Sequence, residues 1–108
     1  MKLTIIIPVY NEIKSIEILL NKVLNIGIEK QVIVIDDYST DGTREKIIEK
    51  FKHRVDKLIL HEKNYGKGAG IISAKKFIEG DFVIIQDADL EYDPDQYHLF
   101  INKISEKP

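Results

Sequence analysis

Short β-branched apolar runs alternate along this chain with segments whose apolar residues recur every three or four positions, and few folds satisfy that rhythm. Leu3-Thr4-Ile5-Ile6-Ile7, stopped by Pro8, reads as a strand. Ile13, Ile16, Leu19, Leu20, Val23 and Leu24 then recur at helical spacing up to Gly27. Gln31-Val32-Ile33-Val34-Ile35-Asp36 is a second strand. Ser39-Thr40-Asp41 supplies a helix start, with Thr40 or Asp41 as the cap and Ile47, Ile48 and Phe51 on the buried side. Residues 55–60 form a third, partly alternating strand, and residues 66–77 a third helix carrying Ala69, Ile72, Ala74 and Phe77. Asp81-Phe82-Val83-Ile84-Ile85-Gln86 is a fourth strand, and Pro94 opens a last helix with Tyr97, Phe100, Ile101 and Ile104. The order βαβαβαβα predicts an α/β fold, an open parallel sheet of βαβ units with right-handed crossovers. Runs two and four are unbroken apolar stretches, expected of strands covered on both faces.

Composition narrows the function classes. At 108 residues the chain is one folding unit, and its 44% apolar and 31% charged content is that of a globular protein. A net charge of −2 offers no basic excess to hold a nucleic-acid backbone, so no nucleic-acid partner is expected. With no Cys, disulfides, thiolate metal sites and thiol nucleophiles are excluded. His53, His61 and His98 make no ligand pair at helical spacing and read as surface or strand-end residues. The apolar runs fall far short of the ~18–20 residues of a membrane span, and the N-terminus does not read as a signal peptide. A cytoplasmic location is expected. The chain ends Ser105-Glu106-Lys107-Pro108 without a closing signal, so it is expected to be the front portion, residues 1–108, of a longer protein.

In open parallel sheets, ligands bind outside the carboxyl ends of the strands. The segments there are Pro8-Val9-Tyr10-Asn11-Glu12, Asp36-Asp37-Tyr38-Ser39-Thr40-Asp41-Gly42-Thr43, Lys63-Asn64-Tyr65-Gly66-Lys67-Gly68 and Asp87-Ala88-Asp89-Leu90-Glu91. Glu12, Asp37, Asp87 and Asp89 are therefore expected on one edge. Crowded anions repel by ~1–4 kcal/mol per close pair unless a cation, protons or ligand donors compensate.

Each segment has a chemical reading and a plain one. Asp87 and Asp89, with Glu91, offer oxygens suited to Mg2+ or Mn2+; the same triplet also serves as a solvated turn capping the next helix. One carboxylate of Asp36-Asp37 suits a base or ribose and the other local amides; an Asx turn and helix cap explains the pair as well. The amides of Gly66-Lys67-Gly68-Ala69-Gly70, with the Lys67 ammonium, suit a phosphate, or form a glycine-rich turn with a solvated lysine. That segment is neither a Walker loop nor the dinucleotide fingerprint, whose spacing and position it lacks. Tyr10 either stacks on a base or covers the sheet edge. Tyr65, Tyr92 and Tyr97 read as packing or surface residues.

Taken together, Ile7-Pro8-Val9-Tyr10-Asn11-Glu12, Ile35-Asp36-Asp37-Tyr38-Ser39-Thr40-Asp41-Gly42-Thr43, Asn64-Tyr65-Gly66-Lys67-Gly68 and Gln86-Asp87-Ala88-Asp89-Leu90-Glu91 resemble family-2 glycosyltransferases, in the family's order and spacing. The stretch from Asp87 to Pro94 looks most like the polyprenyl-phosphate branch, such as dolichol-phosphate mannose or glucose synthases. The resemblance implies a Rossmann-like nucleotide-diphospho-sugar transferase fold, of which this chain would be the N-terminal half. It implies a UDP- or GDP-linked sugar donor, Mg2+ or Mn2+ as cofactor, and a polyprenyl phosphate or glycan hydroxyl as acceptor, with membrane association through segments beyond this chain. Pro8, Tyr10 and Glu12 would line the base and ribose pocket, Asp37 would bond the base, and Lys67 would lie near the nucleotide. Asp87 and Ala88 would contact the nucleotide sugar, while Asp89 would touch both it and the metal, with Glu91 as a further ligand. The acceptor site and general base would lie downstream, so no catalytic base is assigned within these residues.

Two positions depart from the family pattern. Tyr38 stands where Gly is common, and Gly70-Ile71-Ile72-Ser73-Ala74 lacks the Arg that often follows the Gly-Lys-Gly turn. Rival readings fit the spacing less well. A phospho-receiver domain wants its acidic pair after strand one, and a haloacid-dehalogenase-type phosphatase wants an early Asp-x-Asp followed by Thr or Val. A non-catalytic module that binds nucleotide sugars is the remaining alternative.

Overall fold

A computed structural model describes residues 2–88. The expected helix from Pro94, and with it Asp89, Glu91, Tyr92, Tyr97 and His98, lies outside the described residues.

Strands β1 (Leu3–Val9), β2 (Lys30–Asp36), β3 (Lys57–Leu60) and β4 (Phe82–Ile85) form one sheet in the order β3-β2-β1-β4. All three pairings are parallel, with Ile5 opposite Val32 and Ile84, and Val34 opposite Leu58. Helices α1 (Ile16–Asn25), α2 (Thr43–Lys50) and α3 (Lys67–Lys75) connect them in sequence. Alternation along each strand divides the apolar side chains between two layers. Leu3, Ile5, Ile7, Val9, Val32 and Val34 face Ile16, Leu19, Leu20 and Val23 of α1 and Ile47 of α2. Ile6, Ile33 and Ile35 face the other way, onto Ala74 of α3, with Ile59, Phe77 and Ile78 at the margin. The predicted open α/β sheet is thus the observed one.

The differences have local causes. The α1 periodicity begins at Ile13, yet the helix begins at Ile16: residues 13–15 form a turn in which the Ser15 and Ile16 amides both donate to the Glu12 carbonyl, while the Glu12 and Ile13 amides donate to Thr43 Oγ1 and Asp41 Oδ2. Ile48 is 38% exposed while Ile47 is buried, since Ile47 and Phe51, one turn apart, hold the inner stripe. Ile72 likewise faces solvent at 72%, and Gly70 and Ala74 carry the buried side of α3. β3 starts at Lys57 because Asp56 uses its own carboxylate and amide to pair with both backbone groups of Val32. β2 is buried on both faces as expected, but Val83 and Ile85 of β4 are each 43% exposed. Those two lie on the α3 side of the sheet, and α3 packs over β1 and β2. No helix among the described residues is long and apolar enough to cross a membrane.

At the opposite end of the sheet, a buried polar cluster fixes the α3–β4 connection. Thr4 Oγ1 donates to Gln31 Oε1 at 2.8 Å, and Gln31 Nε2 donates to the Phe77 carbonyl at 2.6 Å. The Glu79 and Gly80 amides donate to Gln31 Oε1 and Thr4 Oγ1. Gly80 sits so close that a Cβ there would meet Thr4 Oγ1 at 2.5 Å, the Thr4 amide nitrogen at 2.7 Å and the Lys2 carbonyl at 2.9 Å. Two of those atoms are backbone and cannot rotate away. Gly80→Ala is therefore expected to destabilise the fold by about 1–3 kcal/mol, measured by urea unfolding; an unchanged midpoint would contradict this packing.

Candidate functional site

β4 lies beside β1, on the side away from β2 and β3, so the connections diverge where β1 and β4 end. Such a switch point leaves a crevice at the carboxyl edge of the sheet. Here it is an open cleft of about 180 Å3 lined by Pro8, Val9, Tyr10, Glu12, Asp37, Lys67, Asp87 and Ala88. Residues singled out at separate strand ends thus stand together: Pro8, Tyr10, Glu12, Asp37, Lys67, Asp87 and Ala88 share one wall. Asp89 and Glu91 lie outside the described residues.

Two loops build the floor by satisfying each other's backbone. The Asn11 amide donates to Ser39 Oγ at 2.9 Å, and the Thr40 amide donates back to Asn11 Oδ1 at 2.7 Å. The Glu12 amide donates to Thr43 Oγ1 at 3.0 Å and the Ile13 amide to Asp41 Oδ2 at 3.2 Å. Asp41 Oδ1 takes the Thr43 amide and hydroxyl, but the N-cap of α2 is Gly42, which makes no side-chain cap bond, so neither Thr40 nor Asp41 is the cap expected; Asp41 ties down the first helical amide from one position further out. Asn11 and Tyr38 adopt left-handed backbone, with φ of 52° and 66°. Tyr38, in the place of a more usual Gly, therefore takes the glycine-like conformation itself, and the Arg44 guanidinium stands 5.5 Å from its ring centre.

The paired acids have separate partners. Asp36 is fully buried and works locally: Oδ2 accepts from the Ser39 amide at 3.0 Å and from Arg44 Nε at 2.7 Å. Arg44 also donates through Nη2 to the carbonyls of Asp36 and His61, joining the ends of β2 and β3. Oδ1 of Asp36 is buried, with no hydrogen-bond partner among the described residues. Asp37 works at long range. Its Oδ1 accepts from the Tyr65 amide at 2.8 Å and lies 2.9 Å from His61 Nδ1, and its Oδ2 accepts from the Gly66 amide at 2.8 Å. Burial raises the Asp37 pKa, but the hydrogen bonds from His61, Tyr65 and Gly66 outweigh it and hold the carboxyl below the ordinary aspartate value of 3.8. The Gly66 amide, expected among possible phosphate donors, is committed to Asp37.

At the β4 end, Ser15 Oγ lies 2.6 Å from the Ala88 carbonyl and 3.1 Å from Glu12 Oε2. A hydroxyl has one proton, and the shorter contact takes it, so α1 is tied to the start of the acidic turn. Lys67 Nζ forms an ion pair with Asp87 Oδ1 across the cleft. Ser15, Ser39, Thr43, Arg44 and His61 were not foreseen as supports of the site. His61 does follow β3, as a strand-end residue, but is only 8% exposed; His53 is on the surface. Hydroxyl residues in Asp/Asn-rich loops were the available signal, though not their partners.

Among the described residues, no group of three His, Asp or Glu stands close enough to hold a metal ion. The cleft nonetheless sets the carboxylates of Glu12, Asp37 and Asp87 against the Lys67 ammonium, so its charged lining is net anionic. A diphosphate entering it needs added positive charge, and oxygen donors suit Mg2+ or Mn2+.

Two outcomes follow from this geometry. Because the folded Asp37 pKa is depressed, its contribution is present above the unfolded value near 3.8 and is lost as pH falls through the lower folded value. Asp37→Asn is expected to lose about 1–3 kcal/mol at pH 7 and to flatten the acid limb of a stability profile measured by urea unfolding. An acid limb as steep as the parent's would contradict the assignment. Tyr38→Val is expected to be less stable than Tyr38→Gly by about 1–2 kcal/mol, because a β-branched residue resists positive φ; equal melting temperatures would show that the turn stores no strain.

The profile of glycosyl transferase family 2 matches residues 4–108. A dolichol-phosphate mannosyltransferase of Pyrococcus furiosus is 35% identical over 106 residues, which is 96% of this chain and 30% of that protein. Crystalline S. aureus TarS 1-349 in complex with UDP-GlcNAc superposes with a TM-score of 0.80 at 33% identity, over 98% of this chain and 32% of that one. The mannosyltransferase PcManGT of Pyrobaculum calidifontis, in complex with GDP-Man and Mn2+, gives 0.72 at 29% identity, over 81% and 27%. The chain thus spans about a third of the length of the relatives it matches. On the profile match and the shared fold, this chain belongs to glycosyl transferase family 2.

Proposed function

We propose that the cleft at the carboxyl edge of the sheet, beside the ends of β1 and β4, binds the nucleotide of a nucleotide-diphospho-sugar, and that the protein transfers the sugar to an acceptor hydroxyl or a polyprenyl phosphate. The observation that carries this reading is the convergence of Pro8, Tyr10, Glu12, Asp37, Lys67, Asp87 and Ala88 from separate strand ends on one crevice. Relatives with solved structures in complex with UDP-GlcNAc and with GDP-Man and Mn2+ support the donor class. The similarity to a dolichol-phosphate mannosyltransferase supports a polyprenyl-phosphate acceptor, and with it a place at the cytoplasmic face of a membrane.

Charge dictates the division of labour. Tyr10, 45% exposed at the rim, offers a ring face to the base. Asp37 accepts from base N–H groups, and Glu12 accepts from ribose hydroxyls. Lys67 stands where its ammonium can be shared between Asp87 and a phosphate oxygen, offsetting part of the diphosphate's charge. Asp89 and Glu91 would hold the divalent cation, which supplies Lewis-acid stabilisation of the departing nucleoside diphosphate. Attack by the acceptor oxygen on the anomeric carbon forms the new glycosidic bond, while the old bond's electrons leave on the diphosphate; inversion is the expected stereochemistry. Residues outside this chain would supply the base and the acceptor pocket.

Calorimetry of UDP and GDP with and without Mn2+ tests the reading. The parent should bind one of them in a Mn2+-dependent way, and Asp89→Ala should lose at least about tenfold in affinity, an energy of about 1.4 kcal/mol. Unchanged Mn2+-dependent affinity in that variant would sink the metal assignment. Binding without sugar transfer by the intact protein would favour a non-catalytic binding module.

A further inference from the structure

Behind the cleft wall, His61 joins three elements through bonds that the proposed reaction does not use. Its Nδ1 lies 2.9 Å from Asp37 Oδ1 at the end of β2, and its Nε2 lies 2.9 Å from Ser73 Oγ on α3. Its ring meets that of Tyr65 edge-on, with centroids 5.3 Å apart and planes at 81°. Its backbone amide donates to the Asp36 carbonyl at 2.9 Å. More than nine-tenths of the residue is buried. An ionised carboxylate only accepts, so Nδ1 carries the proton; in the neutral ring Nε2 then accepts from the Ser73 hydroxyl.

This arrangement divides the labour of the Asp37 carboxylate. Oδ1 has two protein donors, His61 Nδ1–H and the Tyr65 amide, and its acceptor capacity is filled. Among the described residues Oδ2 has one, the Gly66 amide, and retains acceptor capacity on a residue that lines the cleft. The same carboxylate fixes the turn that launches Lys67. We propose that His61 is a positioning residue for the nucleotide: by holding Oδ1 of Asp37, with Ser73 locking the ring from behind, it leaves Oδ2 as the ligand's acceptor and sets the Tyr65–Gly66 turn ahead of Lys67. The inference rests on the proposed nucleotide site and adds a residue that never touches the ligand.

Substitutions separate the hydrogen bond from the bulk. The side-chain amide of His61→Asn reaches the Nδ1 position and keeps the donor to Asp37. His61→Leu keeps apolar volume without a donor. His61→Gln places its amide near the Nε2 position and takes the place of His61→Leu should that variant not fold. Two readouts are taken on the intact protein: hydrogen exchange of the Tyr65 and Gly66 amides, and calorimetry with Mn2+ and whichever of UDP or GDP the parent binds. His61→Asn should keep amide protection and bind within about threefold of the parent, whereas His61→Leu or His61→Gln should lose protection at both amides and at least about tenfold in affinity. Ser73→Ala should fall between them. Unaltered protection and affinity in His61→Leu would overturn the proposal, as would equal losses in His61→Asn and His61→Leu, which would reduce the histidine to filler. If the parent binds neither nucleotide, the function proposed above fails, and the exchange comparison still decides whether His61 positions the turn.

Discussion

One carboxylate holds the cleft wall together. Asp37 leaves the end of β2 and gathers the His61 ring and the amides of Tyr65 and Gly66, groups 24 to 29 residues away in sequence. Those amides precede α3 and have no intrahelical acceptor; left unpaired in a partly buried turn they would be costly. The same charge that suits a ligand therefore also anchors the backbone that carries Lys67. The carboxylate has more acceptor positions than the turn consumes, so under the proposed function one side chain would carry both a structural and a binding role.

The sheet explains why this chemistry collects where it does. β2 is buried on both faces and β1 nearly so, leaving no room for polar side chains except at strand ends. Parallel pairing puts every carboxyl end on the same edge, and the reversal of strand order beside β1 opens the edge there. The loops that form the edge exchange hydrogen bonds between Asn11–Ile13 amides and the side chains of Ser39, Asp41 and Thr43. These bonds substitute for the packing that a short polar loop lacks. Arg44 plays the corresponding part beneath the surface, neutralising the buried Asp36 and bonding carbonyls at the ends of two strands.

Much of this was readable from residue patterns, and the failures are informative. β-branched runs and three–four periodicity located every described strand and helix, because those signals depend on nearest neighbours. Periodicity misplaced Ile48 and Ile72, since a helix of eight or nine residues has room for one narrow buried stripe and the sheet chooses which. It also expected cover over both faces of the fourth strand, yet Val83 and Ile85 are half-exposed beside the reach of α3. At the site, the strand-end acids Glu12, Asp37 and Asp87 come together along the cleft, while the glycines of residues 66–70 do not line it. What they could not indicate was that the Gly66 amide answers to Asp37, or that a histidine read as a strand-end residue lies buried behind it.

The order of the apolar runs by itself determined a parallel α/β sheet and the edge on which polar residues must gather, because burial of a repeating pattern admits few arrangements. It also determined which residue types stand at that edge. Only the tertiary structure decided their pairing: that Asp36 turns inward to Arg44 while Asp37 reaches across to His61, and that Tyr38 takes a left-handed backbone in a glycine's stead. Hydrogen bonds are short and directional, so partners separated by tens of residues are fixed by the register of the strands that deliver them, and that register exists only in the folded chain.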